Sequence, residues 1–356
     1  MNENNLIWRT AEQKHSLGDF SAARDGYMAL MASQDYNLRA SIRLIELNSP
    51  KRSPLKLNEL EVVWQTGSHG EESIVRELFS RLKICEEFDD SDLAVQFHHR
   101  YSKLSKNMIV VDHRIFDQRS LQYYAQARLS GANIILVHLA DEGFLDLHEI
   151  YDLCRIVYRN YWSPILAARG NVRFFPLGVN GAIDRNAILH ERAMAARQYV
   201  WNFVGDTNKD SRRGIVEKFR NLTPNKTHLV NDFFDPNKIG PGEYQAIVAD
   251  SKFTLCPDGF QNCDTFRFWE AIELGSIPVS VTRNDFRYFQ NLLQSELPFP
   301  QFVDWDEALQ FMSSVAGNHF YLQHLQMSIA GWWGRYKRKI SEEFRQACVD
   351  LSQPAC

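Results

Sequence analysis

No stretch of this 356-residue chain approaches the about 18 consecutive apolar residues of a membrane-spanning helix. The opening MNENNLIWRTAEQKHSLGDF also lacks a basic region followed by an apolar core, so neither a span nor a secretion leader is expected. Charge of one sign is missing too: 40 Lys and Arg stand against 44 Asp and Glu, a net charge of −4. That balance gives no general attraction to nucleic acid, and any phosphate site must be built locally. The six cysteines (Cys85, Cys154, Cys256, Cys263, Cys348 and Cys356) are scattered, with no zinc-knuckle spacing, and read as reduced thiols. Apolar residues are plentiful at 44%. At about 100–200 residues per domain, the length suits two domains and an appendage.

Residues 6 to 47 carry helical periodicity, and LGDFSAARDGYMALM resembles one helical hairpin of the tetratricopeptide kind, with a further helix expected over 38–47. One repeat cannot bury its own face, so 1–50 is expected to pack on the body of the protein or to mediate assembly. Pro50-Lys51-Arg52-Ser53-Pro54 is a polar linker. From 58 to 180 strand signals (EVVWQTG, LAVQF, MIVVD, NIILVH) alternate with helix signals (ESIVRELFSRL, SLQYYAQARLSG). A second set begins near Trp201: YVWNFVG and THLVND as strands, RRGIVEKFRN and GEYQAIVADS as helices. Such alternation implies parallel sheets and an α/β fold. The domains are expected at 55–185 and 195–315, with the boundary within 180–197 and terminal helices over 316–356.

The most informative segment is FTLCPDGFQNCDTFRFWEAIELGSIPVSV, residues 253–281. Phe253 to Cys256 is a short apolar run, Pro257-Asp258-Gly259 breaks it, Asp264 or Thr265 can cap a helix from Phe266 to about Leu274, and Gly275 stops it. Ile277 to Val281 resumes as a strand. Two strands joined through a helix imply a parallel crossover, whose first loop lies at the carboxyl end of the sheet where ligands bind. The helix start there favours an anion such as a diphosphate. Arg267 and Glu270 share one face of an otherwise apolar helix, where charge requires a partner or a ligand.

This segment resembles the signature of the exostosin-type glycosyltransferases on Pro257, Gly259, Thr265, Arg267, Glu270 and Gly275 to Val279, with Ser276 intervening. Upstream, NIILVHLADE, YDLCRIVYRNYW, FFPLGVNG and FVGDTNKDSRRG occur in the order the family leads one to expect, so the resemblance spans roughly residues 60 to 310. It implies a GT-B architecture, two Rossmann-like domains facing across a cleft, with the carboxyl-terminal helices crossing back to the first. It also implies transfer of a hexosyl or pentosyl group from a nucleotide-diphosphate sugar, UDP being the default, to a glycan or polysaccharide acceptor.

The implied donor site comprises Gly205 in the turn after YVWNFVG, Arg212 and Arg213 at the next helix start, Asp258 and Gly259 in the loop, and Thr265, Arg267 and Glu270. Arginines there can meet phosphate bidentately, and basic groups at a helix start oppose its dipole, which favours an anionic ligand. Glu270 would accept from ribose hydroxyls. Family members often carry a basic residue where Asp258 stands. An inverting displacement needs a base near the acceptor hydroxyl. Glu142 and Asp141 after NIILVHLA are the first candidates, with His69 in TGSHGEES and His113 in VVDHR beside them. The ordinary reading of Asp141 and Glu142 is a capping pair for the helix that follows.

Asp90-Ser91-Asp92 has metal-site spacing but reads as a solvated turn, and His98-His99 has no third ligand, so no metal and no other cofactor is expected. A non-catalytic nucleotide- or glycan-binding scaffold is the alternative. With no leader or span expected, the expected location is the cytoplasm or the inner face of a membrane. Its helical appendage or GWWGRYKRK (331–339) could contact a lipid surface or a protein, while packing of that aromatic side into the body is the plainer reading.

Overall fold

The computed structural model describes residues 3–17, 19–31, 40, 61–65, 72–78, 86–88, 107–129, 131–139, 142–145, 148–183, 193–232, 235–259, 262–282, 288–289 and 297–352. The chain opens with α1 (Glu3–Ser16) and α2 (Phe20–Leu30). Asp19 caps α2 by accepting from the Ala22 amide at 3.3 Å. The pair encloses a small core of Trp8, Ala11, Ala23, Tyr27 and Leu30, to which Ala40 adds. Gly26 lets the helices close on one another, since a Cβ there would fall 2.8 Å from that of Ala11. Apart from Ala40, the helix expected over 38–47 lies outside the described residues, as do LAVQF, Asp90, Asp92, His98 and His99.

The remaining elements are β1 (Glu61–Gln65), α3 (Glu72–Leu78), β2 (Glu86–Phe88), β3 (Asn107–Asp112), α4 (Gln118–Leu129), β4 (Asn133–His138), β5 (Ile156–Arg159), α5 (Pro164–Ala167), β6 (Val172–Phe174), β7 (Tyr199–Asp206), α6 (Asp210–Phe219), β8 (Asn225–Val230), α7 (Pro241–Ala249), β9 (Ser251–Leu255), α8 (Phe266–Glu273), β10 (Ile277–Val279), α9 (Trp305–Val315) and α10 (His319–Ser352). They divide into two compact units. One holds 51–178, 260–264 and 339–356; the other holds 1–50, 179–259 and 265–338.

The first unit is built on a six-stranded sheet, order β2-β1-β3-β4-β5-β6, parallel throughout. β3 and β4 are buried along all but their first residue, which is why they read as continuous apolar runs rather than alternating ones. β2, β5 and β6 were not expected from sequence. EEF is acid-rich, and IVYR and VRF are too short to show a strand period. The end of α10 belongs to this unit, with Phe344 edge-on to Tyr158 at 5.5 Å and Ser341 donating to the Leu78 carbonyl at 2.9 Å.

The second unit carries a four-stranded parallel sheet, order β10-β9-β7-β8. β10 is an edge strand, so Pro278 within it sacrifices no ladder donor. α8 closes with a Schellman motif: Gly275 at φ 78° donates to Ile272, and Ser276 donates to Ala271 at 2.8 Å. Phe268 and Trp269 project from α8 into an aromatic cluster, stacking on Phe289 at 4.2 Å and on Trp333 at 4.7 Å. Glu273 accepts from both Trp333 Nε1 and Lys337 Nζ at 2.8 Å. Trp332, Trp333 and Lys337 are thus buried, and the tryptophans of GWWGRYKRK pack inward rather than facing a membrane. Among the described residues no helix is long and apolar enough to cross one.

Replacing Glu273 by Ala removes the acceptor shared by Trp333 and Lys337. Loss of one partner of a buried pair is expected to cost roughly 3 kcal/mol. A melting curve should register it as a drop of several degrees, and an unchanged midpoint would show that the pair contributes nothing.

Candidate functional site

In an open parallel sheet, ligands bind where the strand order reverses, at the carboxyl ends of the two strands that flank the reversal. In the second unit those strands are β7 and β9. The loops beyond them hold most of the residues singled out for the donor, and two arginines tie those loops together. Arg212, 4% exposed, donates to Asp206 Oδ1 at 2.8 Å and to the Asp258 carbonyl at 2.9 Å. It joins the turn after β7 to the Pro257-Asp258-Gly259 loop. Arg213 is exposed and donates to Thr207 Oγ1 at 3.2 Å.

Arg267, in the first turn of α8, reaches back under the same turn. Its Nε and Nη2 donate to the Val204 carbonyl at 3.3 and 2.9 Å, and its guanidinium lies 4.6 Å from the centre of the Phe203 ring. Gly205, at φ 154°, makes this seat possible, because a Cβ there would stand 2.3 Å from Arg267 Nη2. An ion pair with Glu270 or Glu273 is the ordinary fate of an arginine on this helix, yet among the described residues Arg267 forms neither. Thr265 occupies the cap position of α8 with extended backbone but makes no cap hydrogen bond, and its Oγ1 is enclosed without a partner among the described residues.

Glu270 lies one turn further on, 6% exposed. Its carboxylate accepts from Tyr244 Oη at 2.6 Å and from the Asn180 amide at 3.3 Å. Burial raises its pKa; the Tyr244 hydrogen bond, the Arg267 charge and the Asn180 amide offset only part of that rise. The phenol of Tyr244 moves up as well, through burial and then the adjacent Glu270 charge. Tyr244 and Asn180 had no signal in the sequence. GEYQAIVADS reads as an ordinary packing helix, and Asn180 contributes only its backbone.

In the first unit the order reverses between β1 and β3. His113 follows β3 directly and is 8% exposed. His69 and Asp141 lie outside the described residues. Glu142 is half-buried and accepts from the Asn262 amide at 3.1 Å, while Asn262 Nδ2 donates to the Trp162 carbonyl at 3.2 Å. Beside His113 is a buried network absent from the sequence reading. Asp112 accepts from Arg114 Nε and Nη2 at 2.9 and 2.6 Å and from Tyr124 Oη at 3.3 Å. Burial pushes the Asp112 carboxyl up, but the charge and hydrogen bonds of Arg114, helped by His138, bring it below the usual range. His138 stacks on Phe116 at 4.0 Å and bonds Tyr151 Oη at 2.7 Å. Among the described residues no three His, Cys, Asp or Glu side chains converge as metal ligands.

Residues 185–350 match the family model described as the RXYLT1 C-terminal domain, just under half of the chain. Over that span, which includes α8 and both loops of the second switch point, the chain is similar to exostosin-type glycosyltransferases. Comparison with curated proteins gives no match. Among solved structures, an alpha1,3-fucosyltransferase aligns at TM-score 0.47 and 11% identity, over 84% of this chain and 94% of its own. A carbohydrate transporter from Acidothermus cellulolyticus 11B, in complex with myo-inositol, aligns at TM-score 0.25 and 10% identity, over 73% of this chain and 87% of its own. Both scores are too low to carry a conclusion about fold or function.

Gly205→Ala tests the seat of Arg267 without removing its charge. The methyl group must displace Nη2, and alanine at this backbone angle should cost more than about 1 kcal/mol. The variant is expected to fold, to melt lower, and to match Arg267→Ala in any anion-binding assay. Wild-type anion binding in Gly205→Ala would show that the seat is not required.

Proposed function

We propose that the chain is a glycosyltransferase of GT-B architecture that takes its sugar from a nucleotide-diphosphate donor, with UDP as the carrier, and passes it to a glycan acceptor with inversion. The observation that carries this reading is Arg267: a half-buried guanidinium held by a carbonyl and a ring, with no carboxylate in ion-pair contact among the described residues. It stands in the first turn of a helix whose cap hydroxyl is unused, and both features favour a bound anion. The similarity of residues 185–350 to the RXYLT1 C-terminal domain supports the same reading.

In the reaction the bond from the anomeric carbon to the diphosphate oxygen breaks as the acceptor oxygen bonds to that carbon. The acceptor proton passes to a base. Negative charge grows on the departing diphosphate, where Arg267, the Thr265 hydroxyl and the α8 amides would meet it. Arg212 acts by holding the Asp258 loop against the turn after β7. The Glu270 carboxylate has accepting capacity beyond its bonds to Tyr244 and Asn180, and would take ribose hydroxyls. For the base, His113 at the switch point and Glu142 in the loop after β4 are the described candidates, with His69 and Asp141 beside them in sequence.

Charge neutralisation by these groups requires no divalent ion, so transfer is expected to persist in chelator. Inactivation by chelator, reversed by a divalent cation, would overturn that part of the proposal. The donor site is tested by a thermal-shift panel of nucleoside mono- and diphosphates on wild type and Arg267→Ala. A ligand at 100 times its Kd stabilises by about 2.7 kcal/mol. UDP should therefore raise the wild-type melting temperature by several degrees and the variant's far less. No shift from any nucleotide would sink the reading.

Ionisation of Glu270 gives a further check. Because burial raises its pKa, the carboxylate protonates earlier on acidification than a free one. The UDP shift should fade on acidification, beginning above the usual carboxylate range. Glu270→Gln should show a smaller shift with little pH dependence over that interval; an unchanged profile would remove Glu270 from the donor site.

A further inference from the structure

The end of β5 holds two adjacent unfavourable features that the donor site does not use. Asn160 follows the strand directly and is 0% exposed, and among the described residues neither Oδ1 nor Nδ2 has a hydrogen-bond partner. Only its backbone is engaged, donating to the His138 carbonyl at 3.4 Å. Tyr161, the next residue, sits at φ 49°, in left-handed backbone that a bulky side chain avoids. Among the described residues one other non-glycine shares that conformation: Phe144 at φ 55°, in the loop after the neighbouring strand β4.

A buried amide normally finds protein or water partners, and here both of its polar atoms are closed to water. An unpaired donor, an unpaired acceptor and a left-handed tyrosine each lower stability, and such strain concentrates at binding sites. The position is suited to one. His113, Leu139 and Asn160 are the residues immediately beyond β3, β4 and β5. With neighbouring strands about 4.8 Å apart, the backbones of His113 and Asn160 stand about 10 Å apart, the reach of one substituted sugar ring.

We propose that Asn160 and Tyr161 form the acceptor-sugar site of this unit. A primary amide offers both a donor and an acceptor, as a pair of neighbouring sugar hydroxyls does, whereas a phosphate or carboxylate would satisfy Nδ2 alone. The ligand is therefore a neutral sugar. Since Asn160 is enclosed in the free protein, the sugar engages it through a local rearrangement, and Tyr161 is the residue whose backbone gains by moving. Binding removes both penalties at once. This assignment rests on the glycosyltransferase reading, and its test is separate from that of the donor.

Asn160→Leu keeps the shape of the side chain and removes its polar atoms. Methyl β-D-glucoside, galactoside and xyloside serve as probes, followed by saturation-transfer NMR, with melting temperature and the UDP shift measured in parallel. The variant is expected to melt higher than wild type, to keep the UDP shift, and to lose about tenfold in affinity for the glycoside that wild type binds. Tyr161→Gly, which relaxes the backbone and deletes the ring, should also bind the glycoside more weakly. The proposal is overturned if Asn160→Leu melts lower, if either variant binds glycoside as wild type does, or if wild type binds none of the three. Absence of a UDP shift in wild type would count against the donor site instead, while the glycoside comparison still decides the role of Asn160.

Discussion

The candidate donor site depends on a close approach: the Arg267 guanidinium against the backbone between Val204 and Asp206. Without a Cβ at Gly205, the end of β7 admits a planar cation from a helix separated from it in sequence by α6, β8, α7 and β9. The seat fixes the direction of α8 relative to its own sheet. It also orients the guanidinium without an ion-pair contact, because its direct partners are a carbonyl dipole and a ring face. A carboxylate in the same place would have held the helix equally well and closed the site to anions.

The same constraint accounts for the other charges on α8. Arg267, Glu270 and Glu273 recur every three residues on a helix that is otherwise apolar, and each is claimed by a different part of the second unit. Arg267 goes to β7, Glu270 to Tyr244 of α7 and the Asn180 backbone, and Glu273 to Trp333 and Lys337 of α10. Glu273 is a structural fastener with its capacity engaged, whereas Arg267 and Glu270 are fasteners that keep hydrogen-bonding capacity to spare. Residues of one class on one helix thus divide between stability and recognition according to what faces them.

Much of this was legible in the sequence. Strong apolar runs bounded by glycine, proline or aspartate gave β3, β4, β7, β9 and α8 close to their observed limits, because buried parallel strands need continuous hydrophobicity. Gly275 ended α8 as expected, since the Schellman turn requires left-handed backbone. Strands of three or four residues such as β2 and β6 left no pattern, because their residues are placed by neighbours rather than by local preference. The roles of Arg212 and Tyr244 were hidden for a related reason. A basic residue at a helix start looks solvated until Asp206 and the Asp258 carbonyl are found around it, and a tyrosine in a packing helix shows nothing of the carboxylate it will meet. Trp332 and Trp333 stood next to basic residues in a way that suggests an interface, and only the stack on Trp269 reveals which side they face.

The two sheets also differ in how they treat charge, and the difference bears on the proposed reaction. At the switch point of the second, the Arg267 guanidinium stands beside a helix end with no carboxylate in ion-pair contact among the described residues. At that of the first, the carboxylate of Asp112 is matched by Arg114, and the unmet capacity nearby includes the neutral amide of Asn160. A reaction that expels a diphosphate and attacks with a hydroxyl calls for this contrast. The leaving group carries growing negative charge and needs a counter-charge that is already in place. The nucleophile is neutral until it loses its proton, and a fixed charge near it would bind water or ions in competition. In the proposed reaction the polar groups buried at each sheet would answer to the charge state of the substrate assigned to them, and their incomplete satisfaction in the free protein would be met on binding.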